Sequence, residues 1–96
     1  MTYTVYLEYF ATGEGLLRQI MVVNATSPEA ARERFREVFY GSEPEAWEYY
    51  QVGVVVREGL DVALLQPFLA PRVVERLQRI HEHMNELWLH WHVNLS

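Results

Sequence analysis

The chain's four histidines all lie in its last 16 residues, at His81, His83, His90 and His92. Imidazole is a common transition-metal ligand and can act as a general base near neutral pH. On a strand, His90 and His92 would point to one side and form a pair of ligands for a divalent transition metal. On a helix, His83, Glu86 and His90 would share a face instead. The candidate metal ligands are therefore His83, Glu86, His90 and His92. The simpler alternative is that these histidines are solvated and bind nothing.

Several other kinds of site are excluded by residue counts. The chain has no cysteine, so thiolate catalysis, disulfides and sulfur-ligated metals are absent. All eight basic residues are arginine, which rules out a P-loop lysine and Schiff-base chemistry. Asp61 is the only aspartate, so a Ser-His-Asp triad is nearly excluded. A small dimeric enzyme with a histidine general base remains as a catalytic alternative.

Acidic and aromatic residues predict a protein-binding surface. The chain carries 13 acidic and 8 basic residues, a net charge of −5 with histidine neutral. This balance disfavours nucleic acid, whose affinity for proteins depends on phosphate contacts. It suits a partner protein with a basic surface, and aromatic side chains are enriched at such interfaces. The predicted interface residues are Glu43, Glu45, Glu48, Tyr49, Tyr50, Trp88 and Trp91.

The composition predicts one folded domain, residues 1–96. Half of the residues are hydrophobic and 14% are aromatic, which is typical of a chain that folds. The apolar runs of about five residues are far shorter than the roughly 20 that a membrane helix needs. The first residues lack the basic and apolar regions of a signal peptide, so a cytoplasmic location is expected.

The first half of the chain has strong local signals. Alternating residues predict strands at 3–10 and 16–25, joined by a glycine-containing turn into a hairpin. Ser27 and Pro28 begin a helix predicted over 28–40, and Gly41 ends it. The joint between the second strand and this helix resembles that of many small bacterial and bacteriophage accessory domains, and the resemblance implies no function. A loop is predicted at 42–46 and a third strand over 47–57.

The second half leaves two alternatives open. Residues 60–65 fit a short strand or a turn of helix, with the strand slightly favoured. Pro71 begins a second helix, whose end depends on the pattern from Leu87 onward. Apolar residues at every odd position from 87 to 95 favour a final strand over 88–95, against a helix that continues to Trp91.

The predicted fold is α+β, in the order β-β-α-β-(β)-α-β, with an antiparallel or mixed sheet and two helices packed on one face. The other face of the sheet would be open and aromatic, so a second subunit or a ligand would have to cover it. The main functional hypothesis is a small non-enzymatic, homodimeric protein-interaction module that needs no cofactor: an adaptor, regulator or inhibitor, one version of which is encoded by a mobile element or phage. The alternative is a metal- or small-ligand-binding protein that uses the C-terminal histidines.

Overall fold

The computed structural model describes residues 1–11, 13, 15–61, 63, 70–72, 75–76 and 86–93, with only the backbone of residues 11 and 86–93. These residues form an α+β domain, which confirms the predicted class. Its elements, in chain order, are β1 (Thr2–Ala11), β2 (Gly15–Asn24), α1 (Pro28–Tyr40), α2 (Pro44–Tyr50), a 3₁₀ turn (Gln51–Gly53), β3 (Val55–Glu58) and β4 (Glu86–Val93).

The four strands form one sheet in the order β3-β1-β2-β4, and every pairing is antiparallel. The predicted hairpin of β1 and β2 runs from the pair Thr2–Asn24 to the pair Ala11–Gly15. Gly13 and Gly15 have φ of 81° and 82°. Only glycine enters this left-handed region without strain, which explains why the turn carries two of them.

Helix α1 has the predicted bounds, residues 28–40. The Ser27 hydroxyl accepts a hydrogen bond from the backbone N–H of Ala30 at 3.1 Å and caps the helix. Gly41 follows the last turn with φ of −57°, so it is not a left-handed cap. A Cβ there would lie 2.5 Å from the carbonyl oxygen of Glu37, and this close approach requires glycine.

The core lies between α1 and one face of the sheet. Phe35 and Ala31 of α1 are completely buried. Every second residue of β1 and β2 faces α1, because successive side chains of a strand point to opposite faces of the sheet. These strand residues and the buried side of α1 form one hydrophobic cluster. Its buried members are Tyr3, Val5, Leu7, Met21, Val23, Ala31, Phe35 and Tyr40.

Part of the second face of the sheet is covered where the structure describes it, although the sequence predicts that this face is open; Glu8, Phe10 and Arg57 on the same face are exposed. Thr4, Ile20 and Val22 are at most 5% exposed. The chain leaving β3 turns onto this face: the Thr4 hydroxyl donates to the Gly59 carbonyl at 2.7 Å and accepts from the Asp61 N–H at 2.9 Å. A second subunit is therefore not needed to cover these residues.

The predicted third strand, 47–57, is wrong over most of its length. Helix α2 and the 3₁₀ turn occupy residues 44–53, and only Val55–Glu58 pairs with β1. The predicted loop at 42–46 likewise ends where α2 begins. Pro44 and Glu45 favour a helical first turn, and Trp47 and Tyr50, one turn apart, both reach the core.

The C-terminal strand is confirmed. Residues 86–93 form β4, so the alternative helix through Trp91 is wrong. Leu60 and Asp61 are in no strand and Ala63 is helical, which argues against the strand at 60–65; the rest of that segment lies outside the described residues. The predicted second helix is seen only at residues 71–72 and 75–76, and its remainder also lies outside them.

Among the described residues, α1 and α2 are the helices that pack on the core face, and α2 is not one of the predicted helices. Within the described part of the chain, no helix is long and apolar enough to cross a membrane.

Candidate interaction surface

Of the predicted interface residues near position 45, the glutamates and Tyr49 lie on or beside the outer side of α2, whereas Tyr50 packs on its inner side. Glu45, Tyr49 and Val52 are spaced by four and three residues and, together with Glu48, follow the outer side of α2 and its 3₁₀ turn. Together with Glu43, which precedes the helix, we call them the α2 contact surface. The structure thus brings together residues that the sequence placed in a loop and a strand.

The inner side of α2 is fixed by aromatic packing. The Trp47 ring centroid lies 5.6 Å from that of Tyr40 and 6.3 Å from that of Phe35. The Tyr50 ring lies 4.4 Å from that of Tyr9 on β1. Such tilted contacts are each worth about 0.5–1.5 kcal/mol beyond burial, so α2 is held firmly despite its seven residues.

Arg32 ties α1 to the end of α2. Its guanidinium lies 5.1 Å from the centroid of the Trp47 ring and donates a hydrogen bond to the Gln51 carbonyl at 2.7 Å. The cation–π contact and the hydrogen bond use the same side chain. They set the position of the 3₁₀ turn, and therefore of Val52, relative to the core.

The outer side of α2 and its 3₁₀ turn carries one exposed aromatic and one exposed aliphatic side chain among its glutamates. Tyr49 is 76% exposed and Val52 is 90% exposed. Tyr49 meets Tyr50 edge-on, with centroids 5.0 Å apart, so its ring has a defined position. Glu43, Glu45 and Glu48 are exposed around it. An open depression of about 410 Å³ lies at the acidic end, lined by Ser42, Glu43, Pro44, Glu45 and Ala46.

Val52 is the contact-surface residue that sequence reasoning missed. In the predicted strand, Val52 shares a face with Tyr50 and Val54, and it is not among the predicted interface residues. The 3₁₀ turn takes the place of that part of the strand and leaves Val52 exposed to solvent. Phe10, 71% exposed beside the hairpin turn, is not among the predicted interface residues either.

The predicted histidine and tryptophan residues of β4 are placed only by strand register. Trp88 pairs with Met21, His90 with Gln19, Trp91 with Arg18 and His92 with Leu17. Glu86 pairs with Val23, and His83 lies outside the described residues.

The metal hypothesis is not decided by this placement. Within the described part of the chain, no three His, Cys, Asp or Glu residues form a group that could hold a metal ion. The side chains of β4 are not among those described, so the metal site at His83, Glu86, His90 and His92 stays a prediction.

A charged network crosses the hairpin on the second face of the sheet. Arg18 Nε donates to Glu8 Oε2 at 2.6 Å, and the Tyr6 hydroxyl donates to the same oxygen at 2.5 Å. Burial and the hydrogen bond to Glu8 raise the pKa of Tyr6 to about 12. Desolvation alone would raise the pKa of Glu8, but the hydrogen bonds from Tyr6 and Arg18 and the Arg18 charge lower it overall.

We expect this network to make stability depend on acid pH. The pKa of Glu8 is lower in the folded chain than in the unfolded chain. Its contribution to the free energy of unfolding is therefore present at pH values above the unfolded-state pKa and is lost as pH falls through the folded-state pKa. The free energies of unfolding of the wild type and of Glu8→Gln, measured with urea, should therefore converge as pH falls below 4.5, the ordinary pKa of a glutamate side chain. Glu43→Gln, at an exposed position, is the control. A difference between wild type and Glu8→Gln that stays constant with pH would contradict the assignment.

Comparison of the chain with protein-family models, with curated proteins and with solved structures finds no match.

Proposed function

We propose that the chain is a non-enzymatic protein-interaction module that binds a partner protein through the α2 contact surface. The observation that carries this proposal is the exposure of Tyr49 and Val52, 76% and 90%, on a segment whose inner side is packed into the core. An exposed apolar pair on a mobile tail would carry little weight. Here the pair lies on an anchored helix and turn.

The anchoring lowers the cost of binding. Immobilising a flexible side chain at an interface costs about 0.5–1.5 kcal/mol, and a side chain already held in place avoids much of that. Tyr49 rests edge-on against Tyr50, which itself packs on Tyr9. Tyrosine is also among the residues enriched in binding hot spots. Tyr49 is thus the central contact of the proposed interface.

The charges indicate what kind of protein would bind. Glu45 and Glu48 are three residues apart on α2, and like charges at this spacing destabilise a helix slightly. A basic partner would relieve that repulsion and would be attracted by the net charge of −5. We therefore propose a partner with an apolar spot surrounded by arginine or lysine. Nucleic acid is not proposed, because the same glutamates repel phosphate.

The experiment compares proteins captured from the source organism's lysate by tagged wild type and by two α2 variants, read by quantitative mass spectrometry. The variants are Tyr49→Ala with Val52→Arg, and Glu45→Arg with Glu48→Arg. We expect both to lose the same partner by at least about tenfold, since losing one hot-spot contact of 1.4 kcal/mol has that effect. Raised salt should weaken capture by the wild type.

Two controls carry the same changes elsewhere. Phe10→Ala removes an exposed aromatic from the hairpin, and Glu58→Arg reverses an exposed charge on β3. Both should capture the partner as the wild type does, and thermal unfolding should show that all variants fold. Capture that is unchanged by the α2 variants, or that the controls reduce equally, would rule out this surface.

A further inference from the structure

β4 is an edge strand in the part of the chain that the structure describes. β2 pairs with one side of β4 over eight residue pairs, and no described strand lies on its other side. The backbone N–H and C=O groups along such an edge can pair with another strand. This edge is separate from the α2 contact surface.

The sequence of β4 lacks the usual features that prevent edge pairing. Natural edge strands commonly carry lysine, proline or a bulge. Residues 86–93 read ELWLHWHV, with no lysine, arginine, proline or glycine. Their register with β2 is unbroken, so no bulge bends the strand away. β4 is therefore long, regular and rich in apolar and aromatic residues.

We propose that a second copy of this chain pairs with this edge, so that two β4 strands run antiparallel about a two-fold axis. Opposite residues in an antiparallel pair lie on the same face of the sheet. A two-fold axis normal to the sheet leaves each residue on its own face, so two residues that lie opposite each other must differ by an even number of positions. The axis therefore lies where a residue is opposite its own copy, and not midway between two positions of the strand. Only axes at Leu89 or His90 keep seven residues of each strand paired within residues 86–93. The result is a continuous eight-stranded sheet.

The pairing of polar residues selects the axis at Leu89. With that axis, Glu86 lies opposite His92 of the second copy, and the symmetry repeats the pair at the other end. A carboxylate can accept a hydrogen bond from an imidazole opposite it, and hydrogen-bonded pairs across strands are stabilising. With the axis at His90, that histidine would lie opposite itself, and Glu86 would have no opposite residue within the strand. The inference goes beyond the proposed function and leaves the α2 contact surface of both copies available.

Cysteine cross-linking tests the register directly, because the natural chain has no cysteine. In Leu89→Cys, the two cysteines would be directly opposite, with Cα atoms about 4.5–5.5 Å apart, within disulfide range. In the control Leu87→Cys, on the same face, the two sulfur-bearing residues would be four positions out of register, about 13 Å apart. Mild oxidation should convert most of Leu89→Cys, and little of Leu87→Cys, to a covalent dimer. No covalent dimer of Leu89→Cys, or equal dimer from both, would overturn the proposal.

A charge exchange provides the second test, by sedimentation over a range of concentrations. Glu86→Arg should weaken the dimer about tenfold, since two symmetric pairs together contribute about 1.4 kcal/mol. Adding His92→Glu should restore it, whereas adding His90→Glu should not. Positions 86 and 92 are about 20 Å apart within one copy, so this rescue can only act between copies. A wild type that stays monomeric, or equal rescue by His90→Glu, would overturn the proposal.

The dimer test is independent of the α2 experiment. Tyr49→Ala with Val52→Arg should dimerise as the wild type does. If the wild type stays monomeric but still captures its partner, only the proposed dimer is refuted. Loss of capture with an intact dimer would instead remove the proposed function.

Discussion

Replacing Phe35 by alanine should cost about 3–5 kcal/mol of unfolding free energy, the largest effect of any single truncation proposed for this chain. The side chain is 0% exposed and lies where the sheet, α1 and α2 meet. Its ring lies 4.8 Å from that of Phe39 and 6.3 Å from those of Tyr40 and Trp47. Truncation removes these contacts and leaves a cavity that three elements would have to collapse to fill.

That loss is a large part of the total stability. Domains of this size have a free energy of unfolding of about 5–15 kcal/mol, and each kcal/mol lost lowers the midpoint temperature of thermal unfolding by about 4–8 °C. The measurement is urea and thermal unfolding of Phe35→Ala against wild type. Phe10→Ala is the matched control: Phe10 is 71% exposed, so its loss should stay within about 0.5 kcal/mol. Equal losses in the two variants would contradict the described core.

Replacing Tyr40 by phenylalanine should cost about 1–3 kcal/mol, although it removes only one oxygen atom. The Tyr40 hydroxyl donates to Gln19 Oε1 at 2.7 Å, and both residues are 3% exposed. Burial raises the pKa of Tyr40, which keeps the hydroxyl protonated as a donor. Phenylalanine would leave the Gln19 oxygen buried without this donor, and that unmet acceptor is the source of the cost.

A double-variant cycle separates this cause from general packing. Gln19→Leu should also destabilise the chain, because it removes the buried oxygen that accepts the Tyr40 hydroxyl's hydrogen bond. The combination of Tyr40→Phe and Gln19→Leu should recover part of the loss, since removing both polar partners costs less than removing one. Strictly additive losses, measured by urea unfolding, would show that the two side chains are not coupled.

The elements that the sequence predicted well are those whose local signals agree with their packing. Ser27 and Pro28 fix the start of α1, and Phe35 lies on its buried side. The alternating residues and glycines specify the β1–β2 hairpin. In β4 the alternation of apolar and polar residues decided correctly against a helix.

Helix α2 was missed because tertiary contacts outweigh its local preference. Residues 47–57 are rich in tyrosine and valine, which favour strands. A helix nevertheless places Trp47 and Tyr50 one turn apart on the same side. There Trp47 packs against Phe35 and Tyr40, and Tyr50 packs against Tyr9, which stabilises the helix more than the strand preference opposes it. The local signal for a helix, Pro44 and the spacing of Trp47 and Tyr50, is short, and the partners that decide the outcome lie on α1 and β1.

The candidate interaction surface was partly predictable. Glu43, Glu45, Glu48 and Tyr49 were identified from residue type and charge, and their exposure agrees with that choice. Val52 was not identified, because its exposure follows from the 3₁₀ turn. The Glu8–Arg18 ion pair could have been found by counting outward from the Gly13 turn, which sets the two residues opposite each other.

The order of strands in the sheet also has a kinetic consequence. β1 and β2 are joined by three residues, 12–14, whereas 61 residues, 25–85, separate β2 from β4. Closing the longer connection costs about 3 kcal/mol more in chain entropy. The hairpin is therefore expected to form before β4 joins the sheet. In a single copy of the chain, the amide hydrogens of β4 should accordingly exchange with solvent ahead of those in β1.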